Sequence, residues 1–227
     1  MTRPALAFDL DGTLVDSLAD LTSALNLCVA ERAPGKSGTI HFEKSVVRGM
    51  IGHGARHLVA RALAHLSGNS PSDVQVDDML VSFRAAYARV FLEETKPFSG
   101  IPELLQQLVD TDWTLCVTTN KPAALAQDIV QALLPGFFSC VLGPEDAGAH
   151  KPEPAILRVA ESRLGVPLLG LVGDSIIDME TAARAGIPAI AVLWGLGEES
   201  ELHGAHVRRA SNADELLQLI RSLELSS

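Results

Sequence analysis

The chain has 227 residues, enough for one large domain or for a domain that carries a smaller insertion, and in either case for a substantial buried core. Its 28 acidic and 18 basic residues give a formal net charge of −10, which disfavours nucleic acid as a partner. With 47% hydrophobic and 20% charged residues, the chain is too apolar to be disordered.

Taken in chain order, the predicted elements indicate an α/β fold. Five apolar runs are too short for helices and too continuous for half-exposed strands, so we predict buried parallel strands. These runs are Ala5 to Phe8, Leu115 to Val117, Cys140 to Leu142, Leu168 to Val172 and Ala189 to Leu193. The helical patterns between and after them are Pro102 to Val109, Pro122 to Leu133, Glu153 to Leu164, Ile177 to Ala185 and Ala213 to Leu223. This alternation is typical of a doubly wound, Rossmann-like parallel sheet.

The stretch from Asp16 to about Lys96 breaks the alternation, because it contains helical patterns and no convincing buried strand. The helical patterns are Leu18 to Arg32, Gly54 to Leu66 and Ser72 to Leu92. A parallel sheet can host such a block in a loop beyond its carboxyl edge. We therefore predict a helical cap domain, residues 16–96, inserted into an α/β core of residues 1–15 and 97–227.

The sequence carries no sign of a membrane span or a secretory signal. Its longest charge-free stretches are shorter than the roughly 20 residues of a spanning helix, and few apolar residues separate Arg3 from Asp9. Cys28, Cys116 and Cys140 are odd in number and lie among apolar residues, which favours reduced core thiols. We expect a cytoplasmic protein without a membrane partner.

Two aspartates follow the first predicted strand. Asp9 and Asp11 are two positions apart, so an extended backbone would place both carboxylates on one face. Two like charges held so close need a cation, or one of them must keep a proton near neutral pH. Gly12 permits a turn that other residues resist, and Thr13 can hydrogen-bond to the backbone around it. The alternative is a turn with two solvated aspartates.

The second predicted strand ends in Thr119, Asn120, Lys121 and Pro122. A helix that begins at Pro122 would have unpaired amides at its first turn. These amides and the hydroxyl at the strand tip would point into the same space, which suits a phosphate. An ordinary helix N-cap explains the same residues, and it is favoured when this segment is considered alone.

Two further segments carry polar groups at strand ends. Lys151 precedes two prolines, so a stiff loop would present its ammonium, although a surface lysine is the default for this motif alone. Asp174 follows the fourth strand, and a helix that begins at Ser175 would bring Asp178 back towards it, with helix capping as the alternative. Helix capping by chance does not explain why polar groups occur at all four strand ends. The groups found there are the ones that phosphoryl transfer uses.

These residues resemble the haloacid dehalogenase-like superfamily of phosphatases. Its four motifs are matched in order by Asp9 to Ser17, Thr119 to Pro122, Lys151 to Pro154 and Gly173 to Asp178. Within the superfamily, the stretches Arg48 to Gly54, Leu58 to Leu63 and Lys96 to Ile101 are similar to phosphoglycolate phosphatases. The segment Trp194 to Gly197 departs from the Gly-Tyr pattern of many relatives.

The resemblance implies a Mg²⁺-dependent phosphate monoester hydrolase, with 2-phosphoglycolate as the expected substrate. It implies that Asp9 is the nucleophile and forms an aspartyl-phosphate, and that Asp11 is the general acid and base. Thr119 and Lys151 are expected to hold the transferring oxygens. The expected metal site combines Asp9, the backbone carbonyl of Asp11 and Asp174, with Asp178 as an outer or water-mediated partner.

The expected substrate contacts are Thr13 and Asn120 in the core and Arg48, Gly49 and His53 in the cap. Each cap residue could instead be a turn residue or a solvated surface group. The expected partner is a small phosphorylated metabolite, and the protein is expected to be a monomer or a homodimer.

Two alternatives remain open. A phosphatase or mutase of another small metabolite, such as a sugar phosphate, would use the same core. A phospho-accepting receiver-like signalling domain also uses Asp, Thr and Lys at the ends of a doubly wound sheet. Asp9 and Asp11 on one strand argue against a receiver, as does the insertion of about 80 residues after it.

Overall fold

The computed structural model describes residues 4–32, 41–202 and 207–224. The chain divides into two compact units, one made of Met1–Asp16 with Pro97–Ser227 and the other of Ser17–Lys96. Val15–Asp16 (β2) and Lys96–Pro97 (β3) pair as a two-stranded sheet where the chain passes from one unit to the other. That the second unit serves as a cap stays a proposal.

The unit Ser17–Lys96 is helical throughout its described elements. These are Leu18–Arg32 (α1), Lys44–Arg48 (α2), Ala55–Ser67 (α3) and Asp73–Val90 (α4). Helices α1 and α3 both pack on α4, and Leu25, Val59 and Phe83 are buried in the resulting core. The five-residue helix α2 was not predicted, because a single turn is too short to show helical periodicity.

The other unit contains a six-stranded sheet in which every neighbouring pair is parallel. Its order is Cys140–Leu142 (β5), Thr114–Thr118 (β4), Ala5–Phe8 (β1), Leu168–Gly173 (β6), Ala189–Val192 (β7) and Val207–Ala210 (β8). The chain runs outward from β1 through β4 to β5 and then returns to β6 on the other side of β1. Ligands of such sheets bind at the carboxyl ends of the strands beside this reversal.

Helices cover both faces of the sheet. They are Ile101–Asp110 (α5), Ala123–Leu133 (α6), Pro144–Ala147 (α7), Ala155–Leu164 (α8), Ile176–Ala185 (α9) and Ala213–Glu224 (α10). Ala5 and Ala7 of β1 pack in one cluster with residues of α8 and α9. Leu6 points to the opposite face and lies, with Leu223 of α10, beside Gly170. The predicted doubly wound α/β fold is therefore confirmed.

The sequence prediction missed strand β8. Arg208 and Arg209 interrupt its apolar pattern, and it lies at the sheet edge, where charged side chains protect exposed backbone groups from pairing with another chain. Two helices that pack on this sheet also begin later than predicted: α6 starts at Ala123, with Pro122 as its N-cap residue, and α8 starts at Ala155 rather than at Glu153. Within the described ranges, no helix is long and apolar enough to span a membrane.

Candidate active site

Asp9 directly follows the central strand β1. Its backbone amide donates to the Val172 carbonyl at 2.8 Å, which continues the pairing of β1 with β6 and fixes the residue at the sheet edge. Its carboxylate Oδ1 accepts a hydrogen bond from Lys151 Nζ at 2.7 Å, and the Asp9 side chain is only 12% exposed. The central strand thus delivers a nearly buried carboxylate to the expected ligand edge.

Lys151 reaches the same place from the loop between α7 and α8. Its ammonium donates to Asp9 Oδ1 at 2.7 Å, to Asp178 Oδ1 at 2.6 Å and to the Thr118 carbonyl at 2.9 Å. These three contacts use all three donors of the ammonium. The Asn120 side chain holds the loop, because its Oδ1 accepts from the Lys151 amide at 2.8 Å and its Nδ2 donates to the Lys151 carbonyl at 3.1 Å.

Asp178 has both of the roles that the sequence left open. Its Oδ2 accepts from the Ser175 amide at 3.2 Å and the Ser175 hydroxyl at 2.6 Å, which caps helix α9. Its Oδ1 binds Lys151 at 2.6 Å. The cap therefore orients a carboxylate that also belongs to the candidate site.

Asp174, just after β6, is held on both of its oxygens. Oδ1 accepts from the Thr13 hydroxyl at 3.1 Å, and Oδ2 accepts from the amides of Leu196 at 2.7 Å and Gly197 at 3.2 Å. Gly12 has φ +88, and a Cβ there would overlap the Asp174 carboxylate. Only glycine lets the turn after β1 approach this carboxylate so closely.

Asp9, Asp174 and Asp178 form an acidic cluster, since each offers a carboxylate oxygen and these oxygens lie within 4.8 Å of one another. Burial raises the pKa of Asp9 to about 8, against the opposing effect of Lys151. Burial likewise raises the pKa of Asp174 to about 6, helped by the charge of Asp178. Burial alone would lower the pKa of Lys151, but Asp178 and Asp9 outweigh it and raise that pKa above its ordinary value.

The charges of this cluster fit a hard divalent cation. The cluster holds three carboxyl groups but a single ammonium, which binds Asp9 and Asp178, so negative charge is in excess in a buried place when all three are ionised. Carboxylate oxygens are the ligands that Mg²⁺ and Ca²⁺ prefer. A bound cation would offset the surplus that raises the pKa values of Asp9 and Asp174.

The Asp11 carboxylate lies outside this acidic cluster. Its Oδ2 is 3.0 Å from Lys121 Nζ, and the two side chains are 16% and 5% exposed. The sequence analysis did not select Lys121 as a site residue, although it stands in the Thr-Asn-Lys-Pro motif. The predicted metal ligand from Asp11 is its backbone carbonyl, and that role stays a prediction.

Thr119 lies at the carboxyl end of β4, where its amide donates to the Leu142 carbonyl at 3.1 Å. Its Oγ1 accepts from the Lys121 amide at 3.2 Å, and the residue is buried. The first amide of α6, that of Ala123, donates to Glu145 Oε2 at 3.1 Å. This amide was expected to face a phosphate, but a carboxylate already binds it.

The remaining predicted substrate contacts fall into two groups. Thr13 binds the Asp174 carboxylate, and Asn120 binds the backbone of Lys151. Contact of either residue with the substrate stays a prediction. Arg48, Gly49 and His53 are exposed residues of the unit Ser17–Lys96, and their contact with substrate also stays a prediction.

Sequence reasoning missed other residues beside Lys121. The Leu196 and Gly197 amides that hold Asp174 lie in the segment where the sequence departs from many relatives. Backbone amides leave no signal in the choice of side chain. In the helical unit, His57 was not predicted as a site residue, but its ring lies 4.6 Å, centroid to centroid, from the ring of the predicted residue His53.

Comparisons with known proteins agree with this geometry. The family model described as haloacid dehalogenase-like hydrolase matches residues 6–192. A phosphoglycolate phosphatase of Caulobacter vibrioides is 36% identical over 198 residues, which cover 86% of this chain and 81% of that protein. The phosphoglycolate phosphatase of Rhodospirillum rubrum is 36% identical over 201 residues, which again cover 86% of this chain and 81% of that protein.

Solved structures show the same fold. A protein of Lactobacillus delbrueckii subsp. bulgaricus, provisionally assigned as a phosphoglycolate phosphatase, superposes with a TM-score of 0.87 at 33% identity, over 97% of this chain and 99% of that one. The family match spans the strands that carry Asp9, Thr119 and Asp174 to one edge of the sheet, and the loop that carries Lys151. The chain therefore belongs to the haloacid dehalogenase-like hydrolases.

Proposed function

We propose that this protein is a Mg²⁺-dependent phosphate monoester hydrolase that converts 2-phosphoglycolate and water to glycolate and phosphate through an aspartyl-phosphate at Asp9. The observation that carries the proposal is the buried contact of Lys151 with Asp9 and Asp178, beside Asp174, at the carboxyl ends of a doubly wound sheet. The curated relatives named phosphoglycolate phosphatase support the choice of substrate.

In the first step, a carboxylate oxygen of Asp9 attacks the phosphorus while the bond from phosphorus to the ester oxygen breaks. The glycolate oxygen that leaves takes a proton from Asp11, which acts as the general acid. Lys151 is placed to balance charge on the transferring oxygens, because its ammonium already lies 2.7 Å from Asp9 Oδ1. The contact with Asp178 keeps the ammonium in that position.

In the second step, Asp11 takes a proton from water, and the water oxygen attacks the phosphorus of the aspartyl-phosphate. The bond between phosphorus and the Asp9 oxygen breaks, which releases phosphate and restores the carboxylate. Lys121, 3.0 Å from Asp11 Oδ2, helps to hold the general acid and base in place.

Asp9 and Asp174 would hold the Mg²⁺ with the backbone carbonyl of Asp11. Asp178 would act from outside this set, where it binds Lys151 and caps helix α9 through Ser175. When bound, the cation supplies positive charge that lets a carboxylate approach a phosphate dianion. Thr13 and the Leu196 amide orient Asp174 for this role.

A phosphate-release assay tests the function. We expect Mg²⁺-dependent turnover of 2-phosphoglycolate, with a higher kcat/KM than for hexose phosphates, and no turnover in excess chelator. Full turnover in chelator would refute the metal role. A higher kcat/KM for hexose phosphates would favour the sugar-phosphate alternative instead.

The family assignment removes the receiver-like alternative, since the family is one of hydrolases. The cytoplasmic location and the choice between monomer and homodimer stay predictions. Cys28, Cys116 and Cys140 are free thiols, which accords with the location.

A further inference from the structure

Lys121 is a buried cation that the proposed catalytic cycle uses only to hold Asp11. Its side chain is 5% exposed, and its ammonium lies 3.0 Å from Asp11 Oδ2. Among the residues that the structure describes, Lys121 and Lys151 are the buried lysines. Burying a lysine is costly unless its charge is paired, so this position needs an explanation.

A purely structural ion pair explains the position poorly. Replacing a buried ion pair by apolar side chains of similar volume is often neutral or stabilising, so such a pair is weak evidence of a contribution to stability. This pair also lies at the ligand edge of the sheet, where Lys121 follows Thr119 by two positions and donates its amide to the Thr119 hydroxyl at 3.2 Å.

The partner of Lys121 places it beside the leaving group. In the proposed reaction Asp11 gives its proton to the ester oxygen, so a group that contacts the Asp11 carboxylate also lies close to the atoms bonded to that oxygen. In 2-phosphoglycolate, the carbon bonded to the ester oxygen carries the substrate carboxylate. Once Asp11 has given up its proton, its carboxylate and the substrate carboxylate are two negative charges close to each other, and a cation between them stabilises both.

Lys151 is poorly placed to supply that cation. Its three ammonium donors bind Asp9, Asp178 and the Thr118 carbonyl. Lys121 is the other buried ammonium of the described chain, and it lies against Asp11, which serves the leaving group, whereas Lys151 lies against the nucleophile Asp9.

We infer that the Lys121 ammonium binds the substrate carboxylate and so selects phosphate monoesters of 2-hydroxy carboxylic acids. This inference rests on the proposed function and adds the residue that determines specificity. Within it, Lys121 bridges Asp11 and the substrate, and the neighbouring phosphoryl group is held by Lys151.

The experiment compares two esters that differ at one group. In 2-hydroxyethyl phosphate a neutral hydroxymethyl group replaces the carboxylate of 2-phosphoglycolate. We would measure kcat and KM for both esters, with Mg²⁺, for the natural protein, Lys121→Met, Lys121→Gln and the control Arg184→Met. Arg184 is a cation of the same unit that pairs with exposed Glu153 and Glu180, so its loss changes the net charge equally.

The natural protein should prefer 2-phosphoglycolate. Lys121→Met should lower the ratio of kcat/KM for 2-phosphoglycolate to that for 2-hydroxyethyl phosphate by about 10- to 100-fold, mainly through KM, because a charge-assisted contact is lost. Lys121→Gln, which keeps a polar donor, should lower the ratio less. Arg184→Met should keep the natural ratio.

An equal loss for both esters in the Lys121 variants, or an unchanged ratio, overturns the inference and leaves Lys121 as a residue that positions Asp11. A natural protein that hydrolyses both esters without preferring 2-phosphoglycolate overturns the proposed substrate as well. Thermal unfolding checks each variant, and Lys121→Gln, similar in length to lysine, carries the test if Lys121→Met does not fold.

Discussion

Two buried aspartates, Asp20 in the helical unit and Asp9 in the α/β unit, have opposite surroundings. The Asp20 carboxylate accepts hydrogen bonds from the amides of Glu94 and Thr95 and from the Thr95 hydroxyl, at 2.6 to 3.1 Å. Asp9 shares one ammonium with Asp178 and lies close to Asp174. The first carboxylate is surrounded by donors, and the second is crowded by like charges.

The difference separates a structural carboxylate from a reactive one. Donors around Asp20 offset the cost of removing its charge from water, so it contributes to the stability of the helical unit. Burial, together with the like charges of Asp178 and Asp174, raises the pKa of Asp9 and costs stability, which is typical of groups that do chemistry. Substitutions at the two positions should therefore affect different measurements.

The largest effect is expected from Asp9→Asn. An amide cannot form the phosphorylated intermediate, so kcat for 2-phosphoglycolate should fall by at least about 10⁴-fold. The free energy of unfolding, measured with urea in metal-free buffer at pH 7, should stay within about 1 kcal/mol of the natural value, because Asp9, with its pKa raised to about 8, is already mostly neutral in the folded protein at this pH. Undiminished kcat would remove Asp9 from the role of nucleophile.

Lys151→Met should be the most destabilising of these substitutions. It leaves the carboxylates of Asp9 and Asp178 without their shared cation, which should cost about 3–5 kcal/mol of unfolding free energy in metal-free buffer. Added Mg²⁺ should restore part of this loss. The loss of each of the two exposed ion pairs broken by Arg184→Met should cost about 0–1 kcal/mol. Equal losses of stability in Lys151→Met and Arg184→Met would contradict the difference in burial.

The pH dependence of stability tests the crowding directly. Folding raises the pKa of Asp9 from 3.8 to about 8, so between these values the folded protein keeps a proton that the unfolded chain has lost. Asp174 does the same up to about 6. The unfolding free energy of the metal-free protein should therefore fall as pH rises from about 5 to 8, with a slope of up to about 1.4 kcal/mol per pH unit for each group.

Lys151 does not reverse this trend, because its raised pKa means that its stabilising charge is lost only above its ordinary value of 10.5. Added Mg²⁺ should flatten the decline, since it binds the ionised carboxylates, and its own affinity should rise over the same pH range. Urea unfolding at several pH values, with and without Mg²⁺, measures both the decline in stability and the affinity for Mg²⁺. Metal-free stability that rises with pH would mean that the carboxylates are satisfied, as Asp20 is.

The smallest effect on activity is expected from Asp20→Asn. An asparagine keeps one acceptor oxygen but replaces the other with an NH2 group, a donor that faces the donors of Glu94 and Thr95. This should cost about 1–3 kcal/mol of unfolding free energy. The kcat of the folded protein should not change. A fall in kcat with unaltered stability would place Asp20 among the catalytic groups and end the distinction.

The sequence predicted the residues of the site better than their contacts. Asp9 and Asp174 directly follow strands, where residue type and position are enough to suggest chemistry. Lys151 was also predicted at a strand end, but it lies in the loop between α7 and α8. Lys121 was missed because a lysine after a strand is ordinarily solvated, and only the fold shows that it is buried against Asp11. The sequence could not show whether Asp178 caps a helix or belongs to the site. The positions of its two oxygens show that it does both.

The sequence alone determined the α/β class, the helical insertion and the strand ends that carry polar groups, because periodicity and turn chemistry are local properties of the chain. It did not determine that Asp174 would be held by the Thr13 hydroxyl and by amides from the segment after β7. Nor did it show that the carboxylates of Asp9 and Asp178 would share the ammonium of Lys151 beside Asp174. Those facts depend on parallel strands that bring distant residues to one sheet edge, and on burial that makes their charges interact strongly.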